Sequence, residues 1–371
     1  MYLHEKNQWW NFQYDNALVL PELAKVRMHQ GKLLGTLQAL GFNRQENAML
    51  QALSASIVKS AEIEGEMLNL QQVRSSIARR LGIDTAGLVT SSRYIDGVVE
   101  MMLDATQHYN APLTDERLFG WHNTLFPTGR NQLYKIDVGT YRTHAMQVVS
   151  GPMGKERVHY EAPSPERVPA EMDTFLSWLN SEDSTDAVLK AAIAHLWFVT
   201  IHPFDDGNGR IGRALMDMML SRADQSRLRF YSLSSQLLKS KNTYYQILED
   251  TQKGKGDITE WLLWFLKMMD EALSEAEQSI QKAIDRNLFW DSVSHLSFNE
   301  RQRKILNMLL EDFKGNLTSS KWAKICHCSA DTALNDIKDL VAKGILGKGK
   351  AGGRSTNYEL IDTGRYLSTR F

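Results

Sequence analysis

The stretch HPFDDGNGRIGR, residues 202–213, restricts the fold more than any other part of the chain. It lies between two apolar runs with helical spacing, one over residues 187–200 and one that continues through Leu215. The Gly-Asn-Gly turn at 207–209 can direct successive backbone N–H groups toward one anion, and the following helix adds its positive N-terminal end. This stretch therefore predicts two helices joined by a phosphate-binding loop.

Charged side chains flank this loop at a spacing that suits phosphate chemistry. Arg210 and Arg213 are three residues apart on the first helical turn, so both guanidinium groups can contact one phosphate chain. Asp206 offers a hard carboxylate oxygen to Mg²⁺, and the imidazole of His202 can accept a proton from an attacking hydroxyl near neutral pH. The pattern indicates nucleotidyl or phosphoryl transfer. The alternative is an ordinary glycine-rich turn with solvated arginines.

At every fixed position the stretch resembles the Fic motif, which reads histidine, proline, phenylalanine, any residue, Asp or Glu, Gly-Asn-Gly-Arg, two residues, arginine. The resemblance implies a protein adenylyltransferase that uses ATP and Mg²⁺, with His202 as general base and Asp206 on the metal. It further implies that Arg213 holds the γ phosphate and that AMP passes to a Ser, Thr or Tyr hydroxyl of a target protein, with this chain as a candidate acceptor. The residues implied to bind the α and β phosphates are Gly207, Asn208, Gly209 and Arg210.

Two further features of the sequence concern the nucleotide: which of its groups is transferred and where its adenine is contacted. The related Doc toxins, a kinase branch, have Ala-Asn-Lys-Arg where this chain has Gly-Asn-Gly-Arg and bind their nucleotide reversed, so residues 207–210 favour AMP transfer over phosphorylation. Tyr244 and Tyr245 occupy the region where family members contact adenine, and Gln252 stands where some members carry asparagine. The alternative for the paired tyrosines is ordinary packing.

A second match lies upstream at residues 60–65, SAEIEG, which resemble the inhibitory motif of the Fic family: Ser or Thr, three residues, Glu, then Gly or Asn. Ser60 and Glu64 are four apart and share a helix face. The resemblance implies that Glu64 pairs with Arg213 and inhibits the enzyme from within the same chain. Glu64 is also a candidate for directing water at an AMP-modified hydroxyl, which would remove AMP. The alternative is a solvated acidic helix end capped by Gly65.

Composition indicates a soluble, mainly α protein. The 371 residues are 43% hydrophobic and 23% charged, and a net charge of −1 argues against long-range attraction of the whole chain to nucleic acid or membrane. Apolar spacing predicts helices nearly throughout, the first beginning after Pro21. The two cysteines, Cys326 and Cys328, and the lack of an apolar run of about 20 residues lead us to expect a cytoplasmic protein without membrane contact.

We expect three parts: a helical N-terminal domain with the inhibitory helix at 1–92, a Fic core at 93–285 and a winged helix at 295–371. The Fic core contains one predicted β-hairpin over 146–160, which the resemblance identifies as a flap over the active site. Its exposed edge could align a target segment by strand addition. The alternative is a structural hairpin or an ordinary loop.

The last part has a basic composition, with thirteen Lys or Arg against eight Asp or Glu over 295–371. Its predicted recognition helix at 329–343 carries the acidic residues Asp331 and Asp336, which suit phosphate poorly. DNA binding and protein docking, including a homodimer, therefore both stay open. The alternative function for the whole chain is a DNA-binding regulator with a nucleotide-sensing Fic module. The basic residues of the predicted wing are Lys348, Lys350 and Arg354.

Overall fold

The chain forms two compact units, Met1–Ala276 and Glu277–Phe371, and both are built mainly from helices. The expected mainly α fold is therefore confirmed. Of the helices that the structure describes, none combines the length and the apolar composition that crossing a membrane requires. The computed structural model describes residues 2–38, 42–84, 87–131, 134–151, 155, 157–310, 313–349 and 356–361.

The first unit holds most of the helices and one strand pair, and the last of its helices spans the boundary to the second unit. Its helices are α1 (Asn16–Gln38), α2 (Phe42–Ile63), α3 (Leu70–Leu81), α4 (Arg93–Gln107), α5 (Asp115–Leu125), α6 (Val168–Asn180), α7 (Ala187–Ile201), α8 (Asn208–Asp224), α9 (Leu233–Lys239), α10 (Lys241–Gln252) and α11 (Thr259–Ser292). Its strands are β1 (Gln147–Ser150) and β2 (Arg157–Glu161). Short 3₁₀ turns occur at Leu3–Glu5 and Pro165–Arg167.

Two helices in the middle of this unit carry the loop that the sequence singled out. Every residue of α7 from Val188 to Ile201 is buried, as expected for a helix that is apolar on all sides. Helix α8 follows after a short loop and buries most of its residues. Because both helices are embedded in the core, the loop between them has little freedom to move.

The first helix begins at Asn16, five residues before Pro21, so the prediction of a start after Pro21 was wrong. Asp15 starts the helix, since its side chain accepts from the Ala17 amide (2.8 Å) and its carbonyl accepts from the Val19 amide (3.0 Å). Pro21 lies close enough to the start that the chain loses only one early helical hydrogen bond. Burial of the apolar face, which includes Val19, outweighs that loss.

Helix α3 has a cap at each end, and the predicted β-hairpin is confirmed. Asn69 caps α3 by accepting from the Gln71 and Gln72 amides, and Gly82 ends it in the left-handed conformation. Strands β1 and β2 pair antiparallel, with a bulge between Val148 and Val149. Residues 152–154 and 156 of the predicted turn lie outside the described residues.

The second unit follows the predicted order of three helices and a strand pair. Its core centres on Trp322, Ile337 and Leu346. Asp336, one of the two acidic residues named on the predicted recognition helix, is buried and paired with Arg301 at 2.7 and 3.0 Å. The elements are α12 (Glu300–Leu310), α13 (Ser319–Cys326), α14 (Ala330–Ala342), β3 (Leu346–Lys348) and β4 (Tyr358–Leu360), with β3 and β4 antiparallel. Lys350 and Arg354 lie outside the described residues, and Cys326 and Cys328 are free thiols.

A buried ionic cluster fastens α2 to α8 in the first unit. Arg229 is 1% exposed and bonds Asp217 at 3.0 Å and Asp224 at 2.8 Å. The Ser56 hydroxyl of α2 donates to Asp217 at 2.9 Å. Burial raises the pKa of both aspartates above the ordinary value, although Arg229 opposes the rise. These carboxylates therefore depend on Arg229 for their charge.

Replacing Arg229→Met should lower the free energy of unfolding by about 3–5 kcal/mol at pH 7.5, because two buried carboxylates lose their cation. The loss should shrink at pH 5, since the folded-state pKa of each carboxyl then lies well above the unfolded value and protonation removes the buried charge. Urea unfolding at both pH values measures the difference. As a control, Arg80→Met removes an exposed pair with Glu100 and should cost less than about 1 kcal/mol. A pH-independent loss for Arg229→Met would contradict this account.

Candidate functional site

A cavity of about 780 Å³ opens in the first unit between the 202–209 loop, the flap strands and α10. Its volume is typical of a small-molecule site. Every site residue predicted from the sequence, except Ser60, lines this cavity. Those lining residues are Glu64, His202, Asp206, Gly207, Asn208, Gly209, Arg210, Arg213, Tyr244 and Tyr245.

His202 has a neutral imidazole that can act as a base. It ends α7 in the left-handed conformation (φ 53°), and its amide donates to the Phe198 carbonyl at 3.0 Å. Its Nδ1 lies 3.1 Å from the Val199 carbonyl, which can only accept, so the ring proton sits on Nδ1 and Nε2 keeps its lone pair. Burial lowers the pKa of His202. The imidazole is therefore uncharged at neutral pH and able to accept a proton at Nε2.

Asn208 clamps the loop by its side chain. Its Oδ1 accepts from the Phe204 amide (2.9 Å) and its Nδ2 donates to the Phe204 carbonyl (2.7 Å). Phe204 is fully buried beneath the loop. Gly207 has φ 82°, and a Cβ there would stand 2.9 Å from the ring of Phe126, so both conformation and space require glycine. The Asn208 side chain thus shapes the loop, leaving backbone N–H groups for a ligand.

The Asp206 carboxylate is oriented by two close donors, and Arg210 makes a longer contact of 3.4 Å with it. Its Oδ1 accepts from the Gly207 amide at 2.5 Å and its Oδ2 accepts from Asn131 Nδ2 at 3.0 Å. The side chain is about one-third exposed, at 32%, and lines the cavity. Each oxygen retains further lone pairs, so the group can also bind a hard cation.

Arg213 is only 1% exposed, and its described hydrogen bonds run to Ser60 of α2 and to Glu64, which follows that helix. Its Nε donates to Ser60 Oγ (2.8 Å), and one terminal nitrogen donates to the Ser60 carbonyl (3.0 Å) and to Glu64 Oε1 (2.6 Å). Burial raises the pKa of Glu64, but the charge and hydrogen bond of Arg213, together with the charges of Arg210 and Lys241, outweigh it, so the pKa lies below the ordinary value. The two residues form an ion pair at neutral pH, at the place where the sequence predicted one.

Comparison with known proteins agrees with this geometry. The family model described as Fic/DOC family matches residues 112–220, and one described as a domain of unknown function (DUF4172) matches residues 2–83. Residues 112–220 of this chain are therefore similar to the Fic/DOC family. Protein adenylyltransferase Fic of Aedes aegypti is 32% identical over 185 residues, which are 48% of this chain and 34% of that protein. The matched region thus spans about a third of that relative's length.

Two solved structures share the Fic fold with this chain. A Fic family protein from Desulfovibrio desulfuricans G20 has a TM-score of 0.52 at 21% identity and aligns over 93% of this chain and 97% of its own. A Fic domain containing signaling protein from Bacteroides thetaiotaomicron VPI-5482 has a TM-score of 0.53 at 22% identity, over 70% of this chain and 96% of its own. At these identities the likeness concerns the fold alone.

The two tyrosines of this Fic site differ in exposure. Tyr244 is 2% exposed, and its hydroxyl lies 2.8 Å from His195 Nε2, while His195 Nδ1 lies 2.9 Å from the Gly212 carbonyl. Burial lowers the pKa of His195 to about 4, so this ring is neutral and structural. Tyr245 is 40% exposed. Of the pair, Tyr245 has the ring more open to stacking on a flat ligand.

Sequence reasoning missed the residue that fastens the β1–β2 hairpin to α10. Glu249 on α10 accepts from His159 of β2 at 2.6 Å and from Lys253 at 2.5 Å, and it lies 3.3 Å from Arg157. The hydrogen bond from Lys253 is the main cause that lowers the pKa of Glu249 to about 2. One acid on an amphipathic helix carries no local signal of such a long-range contact.

Sequence reasoning also missed the partners of Arg210. Its guanidinium pairs with Glu66, two residues after Glu64, and with the Tyr94 hydroxyl of α4. The one signal available was an additional acid directly after Gly65. Both motif arginines of this Fic domain are therefore engaged by carboxylates from the segment that ends α2.

Replacing Ser60→Ala should lower the free energy of unfolding by about 1–3 kcal/mol, because the buried Nε of Arg213 loses its acceptor. Ser54→Ala is the matched control. Ser54 is buried on the same helix, but its hydroxyl bonds only the Leu50 carbonyl among the contacts described for it, at 2.6 Å. Urea unfolding of both variants compares them, and equal losses would show that the Arg213 contact adds nothing.

Proposed function

We propose that this chain is an autoinhibited protein adenylyltransferase, which transfers AMP from ATP to a Ser, Thr or Tyr hydroxyl of a target protein. The observation that carries the proposal is one cavity in which a neutral His202 stands beside the glycine loop at 207–209 and the arginines of α8. A relative that is named a protein adenylyltransferase supports the same reaction class.

The chemistry assigned to these residues balances as a nucleotidyl transfer. The backbone N–H groups of the loop and Arg210 neutralise the phosphates of ATP and orient them. The target hydroxyl gives its proton to Nε2 of His202 as its oxygen attacks the α phosphorus. The bond from the α phosphorus to the oxygen bridging to the β phosphate breaks, and pyrophosphate leaves. AMP is then attached to the target through a new P–O bond.

Mg²⁺ fits the donors on this loop. Asp206 offers a partly exposed carboxylate on the cavity wall, and carboxylate with phosphate oxygens is the ligand set that Mg²⁺ takes in nucleotide sites. When bound, the ion neutralises phosphate charge. The chain's own contribution is to hold the Asp206 carboxylate in place through Gly207 and Asn131.

Inhibition is assigned to Glu64. The γ phosphate of ATP needs a donor from Arg213, but Glu64 already accepts from that guanidinium at 2.6 Å within the cavity. Because the pKa of Glu64 is lowered, the carboxylate keeps its charge at neutral pH and repels the phosphate as well. ATP must therefore displace Glu64 to bind productively.

The flap is assigned to target binding. All four residues of β1 line the cavity, and Val149 is 48% exposed. An extended target segment that adds to the edge of this two-stranded sheet would bring its hydroxyl toward His202. For the second unit we propose a winged helix, since α12, α13 and α14 are followed by an antiparallel strand pair.

Intact-mass analysis after incubation with ATP and Mg²⁺ tests the proposal on the unaltered chain, Glu64→Gly and His202→Ala. We expect one added AMP on Glu64→Gly, at least about tenfold less on the unaltered chain and none on His202→Ala, since the first change frees Arg213 and the last removes the base. A protein acceptor from a lysate, followed with α-labelled ATP, extends the test beyond self-modification.

Other outcomes decide against the proposal. Incorporation of label from γ-labelled ATP, with none from α-labelled ATP, would mean phosphoryl transfer. Absence of both ATP binding and transfer, together with tight duplex binding that weakens steeply with salt, would favour the DNA-binding regulator.

The pH dependence follows from the state of His202. AMP transfer by Glu64→Gly should fall on the acid side with an apparent pKa below the ordinary 6.5, because burial lowers the pKa of His202 and only the neutral ring accepts a proton. Activity should thus be complete above that pKa and be lost as the pH falls through it. Turnover at saturating ATP from pH 5 to 8 measures it. An acid limb above 6.5 would contradict this assignment, and Glu64 cannot cause the limb in this variant.

A further inference from the structure

Arg210 is held by a set of contacts that the motif alone does not account for. One terminal nitrogen donates to both carboxylate oxygens of Glu66, at 3.0 and 3.1 Å, and to the Tyr94 hydroxyl at 2.8 Å. Its guanidinium carbon lies 5.0 Å from the centre of the Phe126 ring, a cation–π contact. The residue is 4% exposed. Arg210 is thus restrained by hydrogen bonds, by a ring contact and by burial.

These restraints act from the side away from the cavity. Arg210 lines the cavity, but neither Glu66 nor Tyr94 is among the residues that do. The second terminal nitrogen of Arg210 lies 3.4 Å from Asp206, a long contact, and its buried Nε has no hydrogen-bond partner in the part of the chain that the structure describes. The second terminal nitrogen, which makes only the 3.4 Å contact with Asp206 among those described, is therefore the donor still available to a ligand.

The backbone gives Glu66 a fixed place. Its amide donates to the Ala61 carbonyl at 3.0 Å, and Gly65 before it has φ 83°, which turns the chain at the end of α2. The Tyr94 hydroxyl also donates to Glu66, which completes a ring of contacts with Arg210. Glu64 and Glu66 consequently diverge from Gly65 to the two different arginines of α8.

We propose that Glu66 and Tyr94 are positioning residues for Arg210, which hold its guanidinium in the orientation that binds a phosphate of the nucleotide. This inference rests on the proposed function. It gives the two acids different roles. Glu64 accepts from Arg213 inside the cavity, whereas Glu66 accepts from Arg210 and does not line the cavity. One carboxylate competes with the nucleotide, and the other prepares the site for it.

The physical reason is preorganisation. A free arginine side chain loses rotamer freedom when it binds phosphate, and this loss is avoided if the protein has already fixed the side chain. The nearby negative charge of Glu66 opposes phosphate binding, so orientation and charge have opposite effects on affinity. Glu66→Gln removes the charge and keeps one acceptor, whereas Glu66→Ala removes both. Comparing these two variants separates the effects.

The experiment uses the full chain with Glu64→Gly, in which Arg213 is free. Into it we introduce Glu66→Ala, Glu66→Gln or Tyr94→Phe, and measure the Kd for ATP by calorimetry with KM and kcat for AMP transfer. We expect Glu66→Ala to raise Kd and KM about tenfold with a smaller change in kcat, Tyr94→Phe to raise them about threefold, and Glu66→Gln to restore most of the affinity. Thermal unfolding of each variant shows whether it is folded.

Glu62→Ala is the matched control. Glu62 lies two residues before Glu64 and pairs only with Lys59, at 2.7 Å, among its described contacts, so its loss should leave Kd and KM unchanged. An unchanged Kd in folded Glu66→Ala would overturn the proposal. So would a lower Kd, or activity gained by Glu66→Ala with Glu64 still present, because either would make Glu66 a second inhibitory carboxylate.

The same measurements separate failure of this inference from failure of the proposed function. If Glu64→Gly binds ATP without transferring AMP, the proposed function is wrong, yet the affinities still decide the role of Glu66. If Glu64→Gly binds no ATP, both are wrong, since the arginines of α8 then do not form a phosphate site.

Discussion

A guanidinium withdrawn from water requires an anion, and α8 buries two of them one turn apart. Arg213 is 1% exposed and Arg210 is 4% exposed, so leaving either uncompensated would cost several kcal/mol. In this structure Glu64 and Glu66 supply the anions. Because the two arginines require negative charge nearby, the loop beside them is also suited to binding a polyphosphate. A carboxylate of the same chain and a phosphate of a ligand would therefore meet the same need for negative charge at these two arginines.

Around these arginines the fold supplies rigidity. Helix α7 is buried on all sides, Phe204 is anchored beneath the loop, and Asn208 ties the loop to the Phe204 backbone through two hydrogen bonds. Electrostatic stabilisation of a reacting phosphate requires donors that do not have to reorganise. Residues of the motif that do not touch a ligand through their side chains therefore contribute by fixing those that do.

The contacts that α2 makes with α8 are buried at Ser56 and Ser60 and become more exposed at Glu64, just after the end of the helix. Ser56 bonds Asp217 and Ser60 bonds Arg213 from buried positions, whereas Glu64 lies beyond the last helical residue, with its side chain 32% exposed. A Cβ on Gly209 would stand 2.2 Å from Glu64 Oε1, so that carboxylate rests directly on the loop. Moving the Glu64 side chain breaks its contact with Arg213, whereas displacing α2 would also break the buried hydrogen bonds of Ser56 and Ser60. A local movement of Glu64 therefore breaks fewer buried contacts than a displacement of α2.

The sequence alone determined the features that depend on residues close together in the chain. The order of the 202–213 motif predicted a phosphate-binding loop, and the helical periodicity predicted the mainly α fold. The pairing of Glu64 with Arg213 was implied by the resemblance of residues 60–65 to a family motif. Tertiary structure decided the rest. Glu66 meets Arg210 across 144 residues, and the burial of Asp336 depends on the packing of the helix that carries Arg301. Local propensity follows from a few neighbouring side chains. Which acid reaches which arginine depends on how two distant helices pack against each other.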